Sequence, residues 1–313
     1  MLAFVVRRLG SMVVVMLVVA SLVFIIVRVV PGDPAAVMLG DLATPGDVAA
    51  LRAALGLDRP VHIQFAIFLK QILLGDLGRS IFFNQPVVQA MLDRAELTLL
   101  LTLMAVSIAV AISVPVGIVS AVQRGRRLDQ ALTVGAMLAA SLPSFWIGLM
   151  LIHYFAVNLG WFPVAGYGPP DSSLPDRLRH LVLPSLALGI PSSALIMRFT
   201  RTSMLDVLGE DYIRTARANG LAQNRVVLKH ALRNAAIPIL TVIGLTTAVL
   251  MGGAIVTETV FALPGVGRMI VQAVLYRDYP VIQGALLVVS GIYVLVNLAI
   301  DLLYAVADPR IRY

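Results

Sequence analysis

The stretch that decides the fold runs from Asp206 to Arg233 and reads DVLGEDYIRTARANGLAQNRVVLKHALR. Apolar stretches of membrane length flank it on both sides, yet it carries several basic residues: Arg214, Arg217, Arg225, Lys229 and Arg233. A long polar loop between two membrane spans needs a physical reason. We therefore expect a partner on the cytoplasmic side of the membrane to dock on this segment.

The composition of the whole chain is that of a membrane protein. Hydrophobic residues make up 59% of the 313 residues and charged residues only 13%, whereas soluble domains are typically about 25% charged. Cysteine is absent, which excludes disulfides, thiolate metal sites and a cysteine nucleophile. The net charge of +7 is assigned to the sorting of membrane topology and not to nucleic-acid binding.

Six stretches have the length and apolarity of a spanning helix, which needs about 20 residues. They lie near residues 9–30, 97–122, 131–158, 181–200, 236–257 and 281–306. The first is predicted to be a retained helix, because its apolar run is too long for a secretory signal and no small-residue cleavage site follows. Prolines inside the spans are expected to bend them: Pro115, Pro143, Pro184 and Pro191. Gly252 and Gly253 in the fifth span would let another helix approach closely.

The arginines predict the orientation of the spans. The short connection QRGRRLD, residues 123–129, holds Arg124, Arg126 and Arg127. Because cytoplasmic loops carry an excess of Lys and Arg, this connection and the polar loop are placed inside. An even number of spans then puts both termini in the cytoplasm.

The long outer segment, residues 31–96, is predicted to contain short helices. Residues 44–47, Thr-Pro-Gly-Asp, have the pattern of a capping box that starts a helix ending at Gly56. A second apolar run, Val61 to Leu74, ends at Gly75. These helices are expected to lie on the outer face of the membrane. They form either a packed cap over the bundle or a docking surface for an external partner, and the residues alone do not separate the two.

Several kinds of chemistry have no signature in this chain. There is no phosphate-binding GxxxxGK[ST] pattern, and the four histidines lack metal-ligand spacing. The spans are nearly free of ionisable residues, and we expect Glu258 and Asp301 to be interfacial groups. An ion-coupled carrier would favour charges at mid-depth, so a solute-moving chain of this kind needs an external energy source. Two alternatives to such an externally driven transport protein are an ion-coupled secondary carrier and a structural or assembly membrane protein.

The polar loop is predicted to contain two short helices. An apolar face at helical spacing comprises Met204, Leu205, Leu208, Tyr212 and Ala216. Gly220 is expected to end this first helix, with Leu221 folding back on it as in a Schellman motif. A second run, Asn224 to Arg233, leads into the fifth span. Periodicity alone leaves two interpretations of the loop open, a solvated amphipathic segment or a docking surface.

Motifs along the whole chain resemble those of one family. They are PGDP at 31–34, LGLDRP at 55–60, GDLGRS at 75–80, EDYIRTARANGL at 210–221, KHALRNAAIP at 229–238, ETVFALPGVGR at 258–268, RDYP at 277–280 and DPRIRY at 308–313. The chain resembles ATP-binding-cassette importer permeases, and more narrowly the B-type permease of the dipeptide and oligopeptide group, which includes glutathione and nickel importers. In the cytoplasmic "EAA" loop of the family, Arg214-Thr215-Ala216 stands where Glu-Ala-Ala is usual, and Arg233 replaces a later proline. This form is typical of the peptide subgroup.

The resemblance implies an all-α permease fold with six spans, of the type I importer kind. It implies two parts: residues 1–96, the first span with a periplasmic helical segment, and residues 97–313, a five-helix core with the coupling loop at about 204–235. A coupling helix from about Leu205 to Gly220 would seat in a separate ATPase. The residues expected to couple are Leu205, Asp211, Tyr212, Arg214, Thr215, Ala216, Arg217 and Gly220.

The same resemblance implies the assembly. The chain would pair with a second permease subunit, two ATP-binding subunits and an external substrate-binding protein in the bacterial inner membrane, in contact with lipid and not with nucleic acid. It would itself be no enzyme and hold no cofactor, because ATP and magnesium would bind the partner subunits. The expected cargo is a peptide or peptide-like solute, with glutathione or nickel as alternatives within the family.

Overall fold

The computed structural model describes residues 2–29, 34–39, 44–54, 56–169 and 171–307. The whole motif at 308–313, parts of the motifs at 31–34 and 55–60, and the side chain of Asp301 lie outside the described residues. The regular elements of the described part are helices. They are α1 (Leu2–Val29), α2 (Pro34–Leu39), α3 (Pro45–Ala54), α4 (Val61–Leu73), α5 (Val87–Val122), α6 (Arg127–Ser141), α7 (Ser144–Asn158), α8 (Leu174–Leu208), α9 (Asp211–Ala218), α10 (Gln223–Val260), α11 (Val266–Leu275) and α12 (Tyr279–Ala307).

The described residues contain five helices that are long and apolar enough to cross a membrane: α1, α5, α8, α10 and α12. The sixth candidate is the pair α6 and α7, which is bent by 95°. The all-α, polytopic prediction is therefore confirmed, with five or six spans according to whether the bent pair counts as one.

Of the four prolines that were expected to bend their spans, Pro143 breaks its helix. Pro143 and Leu142 before it are extended, with ψ values of 137° and 128°, because the proline ring disfavours the helical conformation of the preceding residue. Pro115, Pro184 and Pro191 lie inside continuous helices. The predicted third span at 131–158 is thus two helices and not one.

The chain divides into two compact units, residues 1–96 with 268–295 and residues 97–267 with 296–312. The division at residue 96 into two domains stays a prediction. In the first unit, Phe24 of α1 packs against Phe65 and Phe68 of α4, with ring centroids 5.0 and 5.5 Å apart.

The predicted capping box at residues 44–47 is confirmed. The Thr44 main-chain N–H and hydroxyl both donate to the Asp47 carboxylate, at 3.1 and 2.6 Å, and the Asp47 N–H donates to the Thr44 hydroxyl. The hydrogen bond from the Thr44 hydroxyl makes the larger contribution, and that from the Thr44 main-chain N–H the smaller one, to lowering the pKa of Asp47 below its usual value. Gly56 and Gly75, the predicted stops, have φ values of +66° and +75°, so each ends its helix in the left-handed conformation that glycine adopts at little cost.

In the second unit, small residues allow α5 and α8 to pack closely. The buried ridge on α5 recurs every four residues: Ala105, Ala109, Ser113, Gly117 and Ala121. An ideal Cβ at Gly117 would lie 2.7 Å from the Thr200 Cβ and 2.9 Å from the Met197 carbonyl oxygen. An ideal Cβ at Gly189 would lie 2.8 Å from the Ala105 carbonyl oxygen. Close backbone approach between small residues is a common way to hold membrane helices together.

Replacing Gly117 by alanine is expected to lower the free energy of unfolding by about 2 kcal/mol, because the added methyl group would overlap the Met197 carbonyl oxygen of α8. The matched control is Gly135→Ala in α6, where a Cβ would meet nothing within 4 Å. The measurement is the thermal unfolding midpoint of each variant purified in detergent. Equal midpoints for the two variants would contradict the proposed packing.

Glu258 was expected to be an interfacial group, and its depth in the membrane stays a prediction. It lies near the end of α10 but is fully buried, and its Oε1 accepts a 2.7 Å hydrogen bond from the Thr98 hydroxyl. The Val266 N–H in turn donates to the Thr98 hydroxyl at 3.0 Å. The turn after α10 covers the carboxylate, and it can do so because a Cβ at Gly265 would lie 2.2 Å from the Glu258 carboxyl carbon.

Candidate coupling surface

The polar loop contains the short helix α9, which is separate from α8. Gly209 ends α8, and Glu210 is extended, with φ −70° and ψ 149°, before α9 begins at Asp211. The prediction of one coupling helix from about Leu205 to Gly220 is therefore wrong, because Leu205 belongs to the last turn of α8. The cause is local: glycine favours a helix end, and an extended residue must precede a new first turn.

The end of α9 has the predicted geometry. Gly220 has a φ of +74°, and its N–H donates to the Arg217 carbonyl at 2.9 Å. The Leu221 N–H donates to the Ala216 carbonyl at 3.3 Å. These two bonds are the Schellman motif, so the prediction for Gly220 and Leu221 is confirmed.

Ile213 fixes α9 to the rest of its unit. Its side chain is fully buried in a cluster with Ala121 at the end of α5, Met204 of α8, and Val226 and Ile239 of α10. The predicted apolar face instead included Tyr212, which is 42% exposed. The helix is interrupted at Gly209, so the 3.6-residue spacing of α8 does not continue into α9. Counting that spacing across the interruption predicted Tyr212 as the buried residue in place of Ile213.

The opposite face of α9 is exposed and polar. The exposed predicted coupling residues are Asp211, Tyr212, Arg214, Thr215, Arg217 and Gly220. Ala216 and Leu205 are half-buried and pack against the Ile213 cluster. The structure thus gathers seven of the eight predicted residues on or directly after α9, and Leu205 lies under it.

Two contacts order the exposed face. The Asn234 side-chain amide donates a 2.7 Å hydrogen bond to the Tyr212 hydroxyl, which ties α9 to α10. Arg214 forms an ion pair with Asp211 at 3.1 Å, and both side chains are largely exposed. An exposed pair of this kind contributes little stability, so both groups remain free to exchange this contact for one with a partner.

The second predicted helix, Asn224 to Arg233, is not separate from the fifth span. It is the first part of α10, and a π-helical turn occupies Val226–Ala231. Val226, Val227 and Ala231 are buried in the same cluster as Ile213. The cluster therefore packs α9 against the start of a membrane span.

A buried ion pair joins three elements next to this cluster. The Asp129 carboxylate of α6 accepts two hydrogen bonds from Arg201 of α8, Nε to Oδ1 at 2.7 Å and Nη2 to Oδ2 at 2.8 Å. It also accepts hydrogen bonds from the Ser120 hydroxyl at the end of α5 and from the Gly125 N–H. Sequence reasoning missed this group, although Asp129 is the one acid in the arginine-rich connection 123–129.

The side chains on this surface are polar and charged groups exposed to solvent. In the described part of the chain, no group of three or more His, Asp and Glu side chains could hold a metal ion. The exposed face of α9 instead offers a tyrosine ring, two guanidinium groups and a carboxylate on a short helix with a buried anchor. A helix that is held in place by a buried residue on one side and exposes polar groups on the other is suited to receive a partner subunit.

Two family models match the chain. The model described as the binding-protein-dependent transport system inner membrane component matches residues 113–313. The model described as the N-terminal part of the same membrane component matches residues 1–102. Together they cover nearly the whole chain.

Curated relatives match along their full length. A probable peptide ABC transporter permease of Sinorhizobium fredii is 44% identical over 310 residues, covering 99% of each chain. A dipeptide transport system permease of Alkalihalophilus pseudofirmus is 42% identical, with both chains covered completely. A glutathione transport system permease of Salmonella choleraesuis is 44% identical over 313 residues, again with both chains covered completely.

A solved structure shares the fold. The inward-facing methionine ABC transporter MetNI matches with a TM-score of 0.58 at 20% identity, covering 71% of this chain and 97% of that chain. The helical fold, the matched family models and the full-length relatives agree with one another. The chain belongs to the binding-protein-dependent transport system inner membrane components and is a permease subunit of an ATP-binding-cassette importer.

Proposed function

We infer that this permease forms half of the pathway of a peptide importer in the bacterial inner membrane. The single observation that carries the coupling role is α9: its exposed polar face stands on a fully buried Ile213. The cargo class rests on relatives at 42–44% identity that are described as peptide, dipeptide and glutathione transport permeases. Glutathione is the second candidate cargo, since one of these relatives is described as transporting it.

The assembly would contain a second permease, two ATP-binding subunits and an external binding protein. ATP and magnesium would bind the partner ATPases, and this chain would catalyse no reaction. Gly252 and Gly253 support a second permease, because both are exposed on α10 and a Cβ there would meet nothing within 4 Å. A partner helix could approach the α10 backbone closely at that point.

The exposed residues of α9 would contact the ATPase on the cytoplasmic side, where both termini of the chain would also lie. Asp211, Tyr212, Arg214, Thr215 and Arg217 would supply the contacts, and Gly220 the turn that ends the helix. Leu205 and Ala216 would support α9 from below. When the two ATPases close on ATP, each would push a coupling helix as a lever, and the helices fixed to the Ile213 cluster would move with it.

Co-purification tests the assembly. The tagged chain is solubilised from native membranes in mild detergent, and the proteins recovered with it are identified. We expect two ATP-binding subunits and a sister permease, and mass spectrometry of the ligand held by the external binding protein should detect peptides. Recovery of the chain alone, still moving solute in vesicles without ATP, would instead support a secondary carrier.

Charge reversal tests the coupling surface. Arg217→Glu is expected to reduce ATP-dependent uptake about tenfold, the effect of losing a contact of about 1.4 kcal/mol, while leaving membrane insertion intact. The control is Arg59→Glu, which reverses an exposed arginine of the outer segment. Uptake of labelled peptide is measured together with ATPase recovery on the tagged chain. Unchanged uptake and recovery for Arg217→Glu would show that this face of α9 does not couple.

A further inference from the structure

Helix α4 has a composition and position that the permease function leaves unexplained. It lies in the outer segment between two spans, yet it is apolar and none of its residues is fully buried. We propose that α4 is an interfacial helix that binds the lipid headgroup region at the membrane face where α1 ends, and so anchors the outer segment to the bilayer.

The contact with α1 sets the depth of α4. Phe65 and Phe68 pack against Phe24 of α1, which ends at Val29. In the sequence, the apolar stretch of α1 is first interrupted by a charge at Arg28, four residues or about 6 Å after Phe24. The packed aromatic face of α4 therefore lies within about two helical turns of the end of α1, near the level where hydrocarbon meets headgroups.

The length of α4 excludes a crossing. Its 13 residues extend about 20 Å, whereas the hydrocarbon core of a bilayer is about 30 Å thick. Gly75, with a φ of +75°, then turns the chain away from the helix. An apolar helix of this length beside the end of a span lies along the interface and not through the membrane.

The face of α4 turned away from α1 exposes apolar side chains. Leu73 is 86% exposed, Ile63 is 39% exposed, and Leu74 just after the helix is 73% exposed. Leaving such area in water costs about 25 cal/mol per Å², so a covering phase is required. Lipid is that phase because α1 exposes Leu22 and Ile25 on either side of Phe24, so acyl chains reach the point where the two helices touch.

The charges of α4 fit a phosphate layer. His62 and Lys70 are its ionisable residues, and the stretch from Val61 to Gly75 contains no acid. Lys70 is exposed on the same side as Leu73, one helical turn away. Its long apolar stem can lie along the interface while the ammonium group reaches lipid phosphates.

The absence of cysteine makes the test direct, because single cysteines can be introduced into the natural chain. The variants are Leu73→Cys and Ala66→Cys on the exposed side of α4. The controls are Asp58→Cys in the preceding exposed turn and Leu17→Cys on the exposed face of α1. Each full-length variant is labelled with an environment-sensitive fluorophore and reconstituted in phosphatidylcholine vesicles containing phosphatidylglycerol.

Quenching is then measured with aqueous iodide and with lipids that carry a nitroxide at the headgroup or deep in the acyl chain. For the two α4 labels we expect iodide quenching about threefold below that of the Asp58→Cys label, because the interface excludes ions, and strongest lipid quenching from the headgroup nitroxide. The Leu17→Cys label should respond most to the deep nitroxide. Iodide quenching equal to the Asp58→Cys label would place α4 in water, and quenching by neither agent would place it under protein; either result overturns the proposal.

Discussion

Replacing Asp129 by alanine is expected to lower the free energy of unfolding by about 3 kcal/mol, the lower end of the range for breaking a buried ion pair. Asp129 is only 4% exposed, while the Arg201 side chain is 28% exposed. The substitution leaves the Arg201 guanidinium, the Ser120 hydroxyl and the Gly125 N–H without their shared acceptor. The measurement is denaturant unfolding of the purified chain in detergent.

A double variant separates the loss of a partner from the loss of the pair. Asp129→Leu with Arg201→Met removes both charges and keeps apolar bulk, and buried pairs replaced in this way are often as stable as before. We expect the double variant to recover at least half of the stability lost by Asp129→Ala. If Asp129→Ala unfolds at the same denaturant concentration as the unmodified chain, the ion pair does not stabilise the ends of α5, α6 and α8.

Truncating Ile213 to alanine is expected to cost about 2–4 kcal/mol of local stability, because the large buried side chain leaves a cavity. The cost should be confined to the attachment of α9, since Ile213 is its fully buried residue. Hydrogen–deuterium exchange of the amides of residues 211–218 measures it. We expect protection there to fall by about a hundredfold, which corresponds to about 2.7 kcal/mol at 1.36 kcal/mol per factor of ten, and ATP-dependent uptake to fall with it.

The neighbouring Tyr212→Ala is the matched truncation. Tyr212 lies on the same helix but is 42% exposed, and its hydroxyl has one hydrogen bond, from Asn234. Amide protection of α9 should therefore change much less than in Ile213→Ala, while recovery of the ATPase should fall. Equal loss of protection in both variants would contradict the assignment of a buried and an exposed face.

Features that depend on nearby residues were predicted correctly. The capping box at Thr44 and Asp47, the stops at Gly56 and Gly75, and the Schellman end at Gly220 each involve residues three to five positions apart. Their geometry follows from side-chain chemistry and from the φ freedom of glycine. The apolar spans were found for a similar reason, because membrane length and hydrophobicity are properties of a continuous segment.

Features that depend on distant residues were missed or misplaced. Asp129 and Arg201 are 72 positions apart and meet only because α6 and α8 pack together. Glu258 is buried because the turn that follows α10 folds over it and Thr98 reaches it from α5. Ile213 was not predicted to be buried because the extended residue Glu210 separates α9 from α8, so the two helices do not share one 3.6-residue spacing.

The sequence by itself determined that this chain is an all-helical membrane permease with a polar segment between two spans, because hydrophobic length, capping chemistry and family motifs are properties of contiguous residues. Only the tertiary structure decided which side of α9 is the anchor and which is free, where the third span bends, and how a buried carboxylate joins three helices. Those outcomes depend on the relative rotation and close approach of helices, which the 3.6-residue period of a single segment does not specify.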